Sequence, residues 1–335
     1  MKARFYKRTF QFKFPAGTSR GILREKYAWF IELWNEDQPD TVGVGECSII
    51  PGLSPDYTND SEYEARLDEL CASLDGSHLD SWPSIQFGWE MALLDLKSGG
   101  KQHFFDNEFR TGKRKLPING LVWMGNETFM QQQVDEKIEA GFSTIKMKIG
   151  AIDLEAELSI LDSIRRRFNA REITLRVDAN GAFSPQEAPH VLQKLAELDI
   201  HSIEQPIQAG QWDAMKEICR STPTPVALDE ELIGIHDSEE KERLLDTIQP
   251  QFIILKPSLH GGIKGTQEWI KLAEERTIDW WITSALESNV GLNALCQLTA
   301  EYQNNLPQGL GTGSLYVDNL PSDLVVKNGH IYLEK

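Results

Sequence analysis

Short apolar runs of strand length recur through the later two thirds of this chain, and amphipathic stretches of helical period lie between them. The runs fall at 118–124, 144–149, 173–177, 202–203, 225–228, 252–255, 279–284 and 306–313, with helical patterns at 129–140, 154–168 and 185–198. A strand buried on both faces reads as nearly continuous Val, Ile and Leu, and alternation of such strands with helices is the pattern of parallel β/α units. Eight strands and about seven helices predict an α/β fold in which residues 116–319 form a (β/α)7β TIM-like barrel.

The first 115 residues follow a different period. Phe10, Phe12 and Phe14 alternate with polar residues as in a half-buried strand, and further strands are expected at 26–34 and 41–47. Turn-forming loops at 15–21 and 50–54 separate them from two helices. Ser61-Glu62-Tyr63-Glu64 has capping-box form and opens the first, through residue 74; Ile85, Trp89, Leu93 and Leu96 mark one face of the second, which stops at Ser98-Gly99-Gly100. This predicts an N-terminal α+β capping domain over 1–115, joined to the barrel by the Gly/Lys/Pro-rich stretch 111–117. Residues of about 320–335 are expected to complete it.

Composition narrows the function classes. A net charge of −17 over 335 residues opposes nucleic-acid binding, which needs a basic face. No run reaches membrane-spanning length, and the N-terminus lacks the continuous apolar core of a signal peptide, so a cytoplasmic protein acting on a small molecule is expected. Cys47, Cys71, Cys219 and Cys296 are too scattered for a zinc site or a disulfide framework and read as reduced, buried thiols.

Against this acidic background, charges stand at the ends of successive barrel strands. Asp178, Glu204 and Asp229 each close a strand, and Lys146, Lys148 and Lys256 stand at equivalent positions, at intervals of roughly 25–30 residues that suit one β/α unit. A single such residue is usually a helix cap or a solvated surface charge. Three acids and three lysines in register point instead to the barrel mouth. Three hard oxygen ligands suit Mg2+. Lys146 and Lys148 lie two apart on one strand and point to the same face; a lysine beside a second ammonium gives up its proton more readily, as a general base near neutral pH must. Proton abstraction α to a carboxylate needs both parts, because charge builds on the carboxylate oxygens as an enediolate forms.

The Lys-x-Lys at 146–148, the Asp/Glu/Asp series and Lys256 resemble the enolase superfamily, whose lysine or histidine bases work with Mg2+, and within it the muconate-lactonizing subgroup. The loop 45–54, the stretch 283–291 and Gly309-Leu310-Gly311-Thr312-Gly313-Ser314 are similar to those of the subgroup's dehydratase branch, which forms 2-succinylbenzoate for menaquinone synthesis. That resemblance implies Mg2+, with Mn2+ as a substitute, on Asp178, Glu204 and Asp229, and a small-molecule carboxylate substrate. It further implies Lys148 as base and then acid, and Lys256 as the charge that steadies the enediolate. Ser284, Ser288, Gly311, Thr312 and Gly313 would receive a succinyl arm, under loops 15–21 and 50–54, with Asn180 and Glu230 just behind the ligands. The acid at 229 is followed by Glu230 and Glu231, where relatives commonly have one Glu and then Ser. Trp280 and Trp281 read as packing.

Two other readings stay open. An epimerase or racemase of dipeptides or N-acylamino acids, or a muconate cycloisomerase-like enzyme, would use the same lysines; a dipeptide epimerase would be expected to carry an acidic pair after the eighth strand, where Asp318 stands alone. A catalytically silent barrel serving as a scaffold is the third, and a homo-oligomer is compatible with all of them.

Overall fold

The computed structural model describes residues 1–18, 21–123, 125–150 and 153–334, with the side chains of 15–18 and 22 also outside the description. The chain begins with three long antiparallel strands, β1 (Lys2–Thr18), β2 (Gly21–Asn35) and β3 (Gln38–Ser48), followed by α1 (Asp60–Ser73) and α2 (Pro83–Lys97). The helix α1 starts before the expected capping box: Asn59 caps it, its side chain accepting from the Glu62 amide, and Leu74 ends it at φ 56°. Helix α2 lies almost flush on β3. A Cβ on Gly45 would stand 1.7 Å from the Gly88 carbonyl, so only glycine permits the approach.

A short strand β4 (Leu116–Pro117) leads into β5 (Gly120–Val122), α3 (Glu127–Glu139), β6 (Thr144–Lys148), α4 (Leu154–Arg167), β7 (Thr174–Asp178), α5 (Ala188–Glu197), β8 (Ser202–Glu204), α6 (Trp212–Ser221), β9 (Val226–Leu228), α7 (Ser238–Ile248), β10 (Phe252–Leu255), α8 (Gly262–Glu275), β11 (Asp279–Ile282) and α9 (Asn289–Thr299). β5 to β11 form one parallel sheet in chain order. The expected eighth strand is reduced to a link: Gln308 bridges to Ile118 and Gly309 to Thr283, both parallel, and these bonds close the barrel. A Cβ on Gly309 would meet Thr283 Oγ1 at 2.4 Å, which keeps this closing segment slim.

Alternation along each strand decides which side chains enter the barrel. Ile145, Met147, Leu175, Val177, Ile203, Val226, Leu228, Ile253, Leu255 and Ile282 face the helices within the main hydrophobic core. Their neighbours Lys146, Lys148, Arg176, Asp178, Ser202, Glu204 and Ala227 face inward. Ala227, Ile254 and Trp281 pack together as the barrel's floor, where the Arg176 guanidinium stacks 3.9 Å from the Trp281 ring centroid.

The C-terminal hairpin of β12 (Leu324–Lys327) and β13 (His330–Leu333) pairs with β4 in its own three-stranded sheet, not with β1–β3. The segment just before it is what returns to the first domain: Tyr316 bridges Phe12, and Asp318 Oδ1 accepts from the Gln11 amide at 3.0 Å.

Candidate active site

The ladder of β6, β7 and β8 sets Lys148, Asp178 and Glu204 side by side, because Lys148 is in register with Asp178 and Asp178 with Glu204. Asp229 and Lys256 follow directly after β9 and β10, so all five side chains, with Lys146, reach one mouth. Lys146 lies 3.0 Å from Asp178 Oδ2 and donates to Glu204. Lys148 donates to Asp178 Oδ2 at 2.9 Å and to Asn180 Oδ1 at 2.6 Å, and Lys256 donates to Asp229. Three ammoniums therefore face three carboxylates, all but removed from water.

The electrostatics follow from that crowding. Burial would raise Asp178, but Lys146, Lys148 and Lys256 outweigh it and hold the carboxyl well below the usual range. Burial and the charges of Asp178 and Asp229 push Glu204 up despite Lys146. Asp229 is also raised, by burial and by Glu230 against the pull of Lys256. Burial works against the charged forms of Lys146 and Lys256, yet the neighbouring carboxylates prevail and both are raised.

The donor set fits a hard divalent cation. Glu204 Oε1 and Asp229 Oδ1 are buried and have no hydrogen-bond partner, a costly arrangement for a carboxylate oxygen unless something else binds it. The repulsion that raises Glu204 and Asp229 is also what a bound cation would relieve. As the side chains stand, no three His, Cys, Asp or Glu among the described residues converge at ion-ligand spacing, since Lys146 lies between Asp178 and Glu204.

A cavity of about 210 Å³ opens onto this cluster, lined by Lys146, Lys148, Asp178, Asn180, Glu230 and Lys256 on one side and Ser284, Gly311 and Thr312 on another. Ile50, Pro51, Leu53 and Leu23 of the capping domain roof it, as the loop 50–54 was expected to; of the loop 15–21, residues 19 and 20 lie outside the described residues. Asn180 adopts φ 45°, a turn position, yet it touches Lys148 and also donates to Glu230 Oε1 at 3.0 Å. Glu231 instead holds structure: its carboxylate accepts from Gly210 and Gln205.

Two expected arm contacts sit elsewhere. Ser288 and Gly313 do not line this cavity: Ser288 donates to Glu46 at 2.6 Å and caps α9, and Gly313 is pressed against Asn289 and Leu292. The sequence reading passed over Asn119, Trp123 and Leu315, which line the cavity, and His260, whose Nδ1 accepts from the Lys256 amide at 2.9 Å. Only the proximity of His260 to Lys256 hinted at that link.

Residues 130–335 match the family described as Enolase C-terminal domain-like. The chain belongs to the enolase superfamily. It is 46% identical to an o-succinylbenzoate synthase of Desulfotalea psychrophila, over 95% of each chain, and 28% identical to an L-Ala-D/L-Glu epimerase of Bacillus subtilis, over 81% of this chain and 74% of that one. The crystal structure of MenC from Desulfotalea psychrophila LSv54 superposes with a TM-score of 0.87 at 41% identity, covering 99% of each chain. This enolase-superfamily chain thus has the capped barrel that its strand rhythm predicted, and no helix among its described residues is long and apolar enough to cross a membrane.

Proposed function

We propose that this chain is an o-succinylbenzoate synthase, which removes water from 2-succinyl-6-hydroxy-2,4-cyclohexadiene-1-carboxylate to give 2-succinylbenzoate in menaquinone synthesis. One observation carries this reading: the 46% identity with an o-succinylbenzoate synthase along nearly the whole of both chains. It is a carbon–oxygen lyase, and its substrate is a small carboxylate.

Asp178, Glu204 and Asp229 are the residues that would hold Mg2+, or Mn2+ in its place, and the ion would supply positive charge to the substrate carboxylate as the enediolate develops. Lys148, held at the cavity wall by Asp178 and Asn180, takes the α-proton and returns it to the departing hydroxyl. Lys256, four strands further round the barrel, stays protonated against Asp229 and meets the enediolate charge from the other side. Lys146 keeps Asp178 and Glu204 in place.

For the succinyl arm the hydroxyl network sets a constraint. Thr312 donates to Ser284, and Ser284 donates to Glu287 while its oxygen also accepts from the Glu287 amide, so neither hydroxyl keeps a proton for the cavity. Donors for an anionic arm must come from elsewhere, and the backbone amides of Gly311 and Thr312, which line the cavity, are assigned that part. A dipeptide's ammonium finds no acidic pair at this rim: Asp318 is bound to β1.

The test is to offer the purified protein the cyclohexadiene carboxylate with Mg2+ and follow aromatisation by ultraviolet absorbance. Efficient formation of 2-succinylbenzoate is expected, with little α-deuterium uptake into dipeptides in heavy water. Fast exchange into a dipeptide without aromatic product would reassign the chain to the epimerases.

A further inference from the structure

Behind the wall of the cavity lies a carboxylate that the chemistry above does not use. Glu287 follows β11, is completely buried, and gives each of its oxygens to one serine. Oε1 accepts from Ser258 at 2.6 Å and Oε2 from Ser284 at 2.6 Å. Ser258 stands two residues after Lys256, in a tight turn closed by bonds from the Leu259 and His260 amides to the Lys256 carbonyl and from the Lys256 amide to His260. Ser284 faces the cavity and receives the Thr312 hydroxyl at 2.8 Å. A single buried group therefore ties together the ends of β10, β11 and the closing segment of the barrel.

The geometry points to Glu287 as a positioning residue, fixing both the turn that carries Lys256 and the proton direction of the Ser284–Thr312 wall. Its carboxylate is the part that matters. Two serine hydroxyls converge on it, one at each oxygen, and a carboxylate offers an acceptor oxygen on both sides where an amide offers one. An amide in its place would turn an N–H toward one serine; Ser284, whose oxygen already accepts from Thr312 and the backbone amide of residue 287, cannot take it, so the bond to Ser258 must reverse and the hold on the Lys256 turn weakens. Since catalytic geometry is sensitive to displacements on the order of 1 Å, the loss should be read in turnover. This inference rests on the dehydratase reading for its kinetic arm only.

The experiment compares Glu287→Gln, Ser258→Ala and Ser284→Ala. Losing one charge-assisted hydrogen bond predicts a fall in kcat of roughly 10–100-fold for Glu287→Gln. Ser258→Ala should lower kcat with KM little changed, and Ser284→Ala should act mainly on KM. The double variant Glu287→Gln/Ser258→Ala should be no worse than Glu287→Gln alone, as expected for residues acting through one link. Wild-type kcat and KM in Glu287→Gln, or losses that simply multiply in the double variant, would overturn the assignment. If Glu287→Gln does not fold, Ser258→Ala and Ser284→Ala still divide between kcat and KM or fail to. If the wild type does not aromatise the cyclohexadiene, the functional reading falls but this one is still decided by crystal structures of wild type and Ser258→Ala: a displaced Lys256 supports it, and an unmoved one sinks it.

Discussion

Two clusters of buried charge in this molecule are built on opposite plans. At the domain junction, Glu46 accepts from the Ser288 amide at 2.8 Å, from its hydroxyl at 2.6 Å and from the Gly291 amide at 2.9 Å, while Lys26 donates to Ser48. Glu287 is equally well supplied. Every carboxylate oxygen there has a protein partner, and neither acid lines the active-site cavity. At the barrel mouth, Glu204 and Asp229 each retain a buried oxygen without one, and the cluster opens to the cavity. A buried acid saturated by its own chain holds structure, because removing any donor leaves a charge uncompensated. An unsaturated one is a ligand waiting for a partner.

The sharpest way to break that contrast is to remove the metal. Excess chelator should abolish turnover and Mg2+ should restore it, because without the ion the enediolate has only ammonium groups to meet it. Asp178→Asn, Asp229→Asn and Glu204→Gln should each behave like chelation; substantial activity in chelator would place these acids with the structural cluster. Mg2+ should also raise the Tm of the wild type, as any ligand of the native state does, and that shift should vanish in the three variants.

Next in size come the lysines. Lys148→Ala removes the group that both takes and returns the proton, so a loss of about 10³-fold or more in kcat is expected. Lys256→Ala forfeits one charge and should cost less, on the order of 10–100-fold. Near-normal turnover in Lys148→Ala would refute the assigned roles. The junction cluster should respond in a different observable. Glu46→Gln leaves amide and hydroxyl donors of the α9 N-terminus facing an NH2 group, which predicts about 1–3 kcal/mol of lost stability by denaturant titration, with kcat per folded molecule nearly intact. A large kcat loss with unchanged stability would erase the distinction between the clusters.

The mouth was far more legible in the sequence than the junction. Lys146, Lys148, Asp178, Glu204, Asp229 and Lys256 announce themselves because a charged residue at the end of an apolar strand is unusual and the β/α period repeats it. Glu46 and Glu287 fall in loops and strand ends of mixed polarity, and their partners are more than 240 residues away in one case and in another strand-end loop in the other, so nothing local marks them. For the same reason Ser288 was read as an arm contact when it is a helix cap. The eighth strand failed in another way: residues 306–313 are apolar and glycine-rich enough for a strand, but Gly309 must pass so close to Thr283 that pairing shrinks to two bridges. Residues 320–335 were expected to complete the first domain, yet their hairpin pairs with β4, because pairing partners are a long-range property that local pattern does not carry.

The smallest test concerns an acid between the two plans. Glu90 of α2 accepts from the Ile263 and Lys264 amides at the start of α8 and from Gln86, so the chain supplies donors, and the Lys264 ammonium adds less than they do. Burial prevails and lifts its pKa to about 7. The folded pKa thus lies above the unfolded one of about 4.3, and the sign follows. Stability from this group is fully present below about pH 4.5 and is lost as pH rises through about 7. The loss amounts to about 4 kcal/mol at most, and less in proportion to the water that still reaches the carboxyl. Glu90→Gln, which cannot ionise, should lack this component, so its stability relative to the wild type should climb between pH 4.5 and 7 and level off above. A difference that stays flat across that window would mean that the helix amides offset the burial of Glu90 in full, and would move it to the saturated plan.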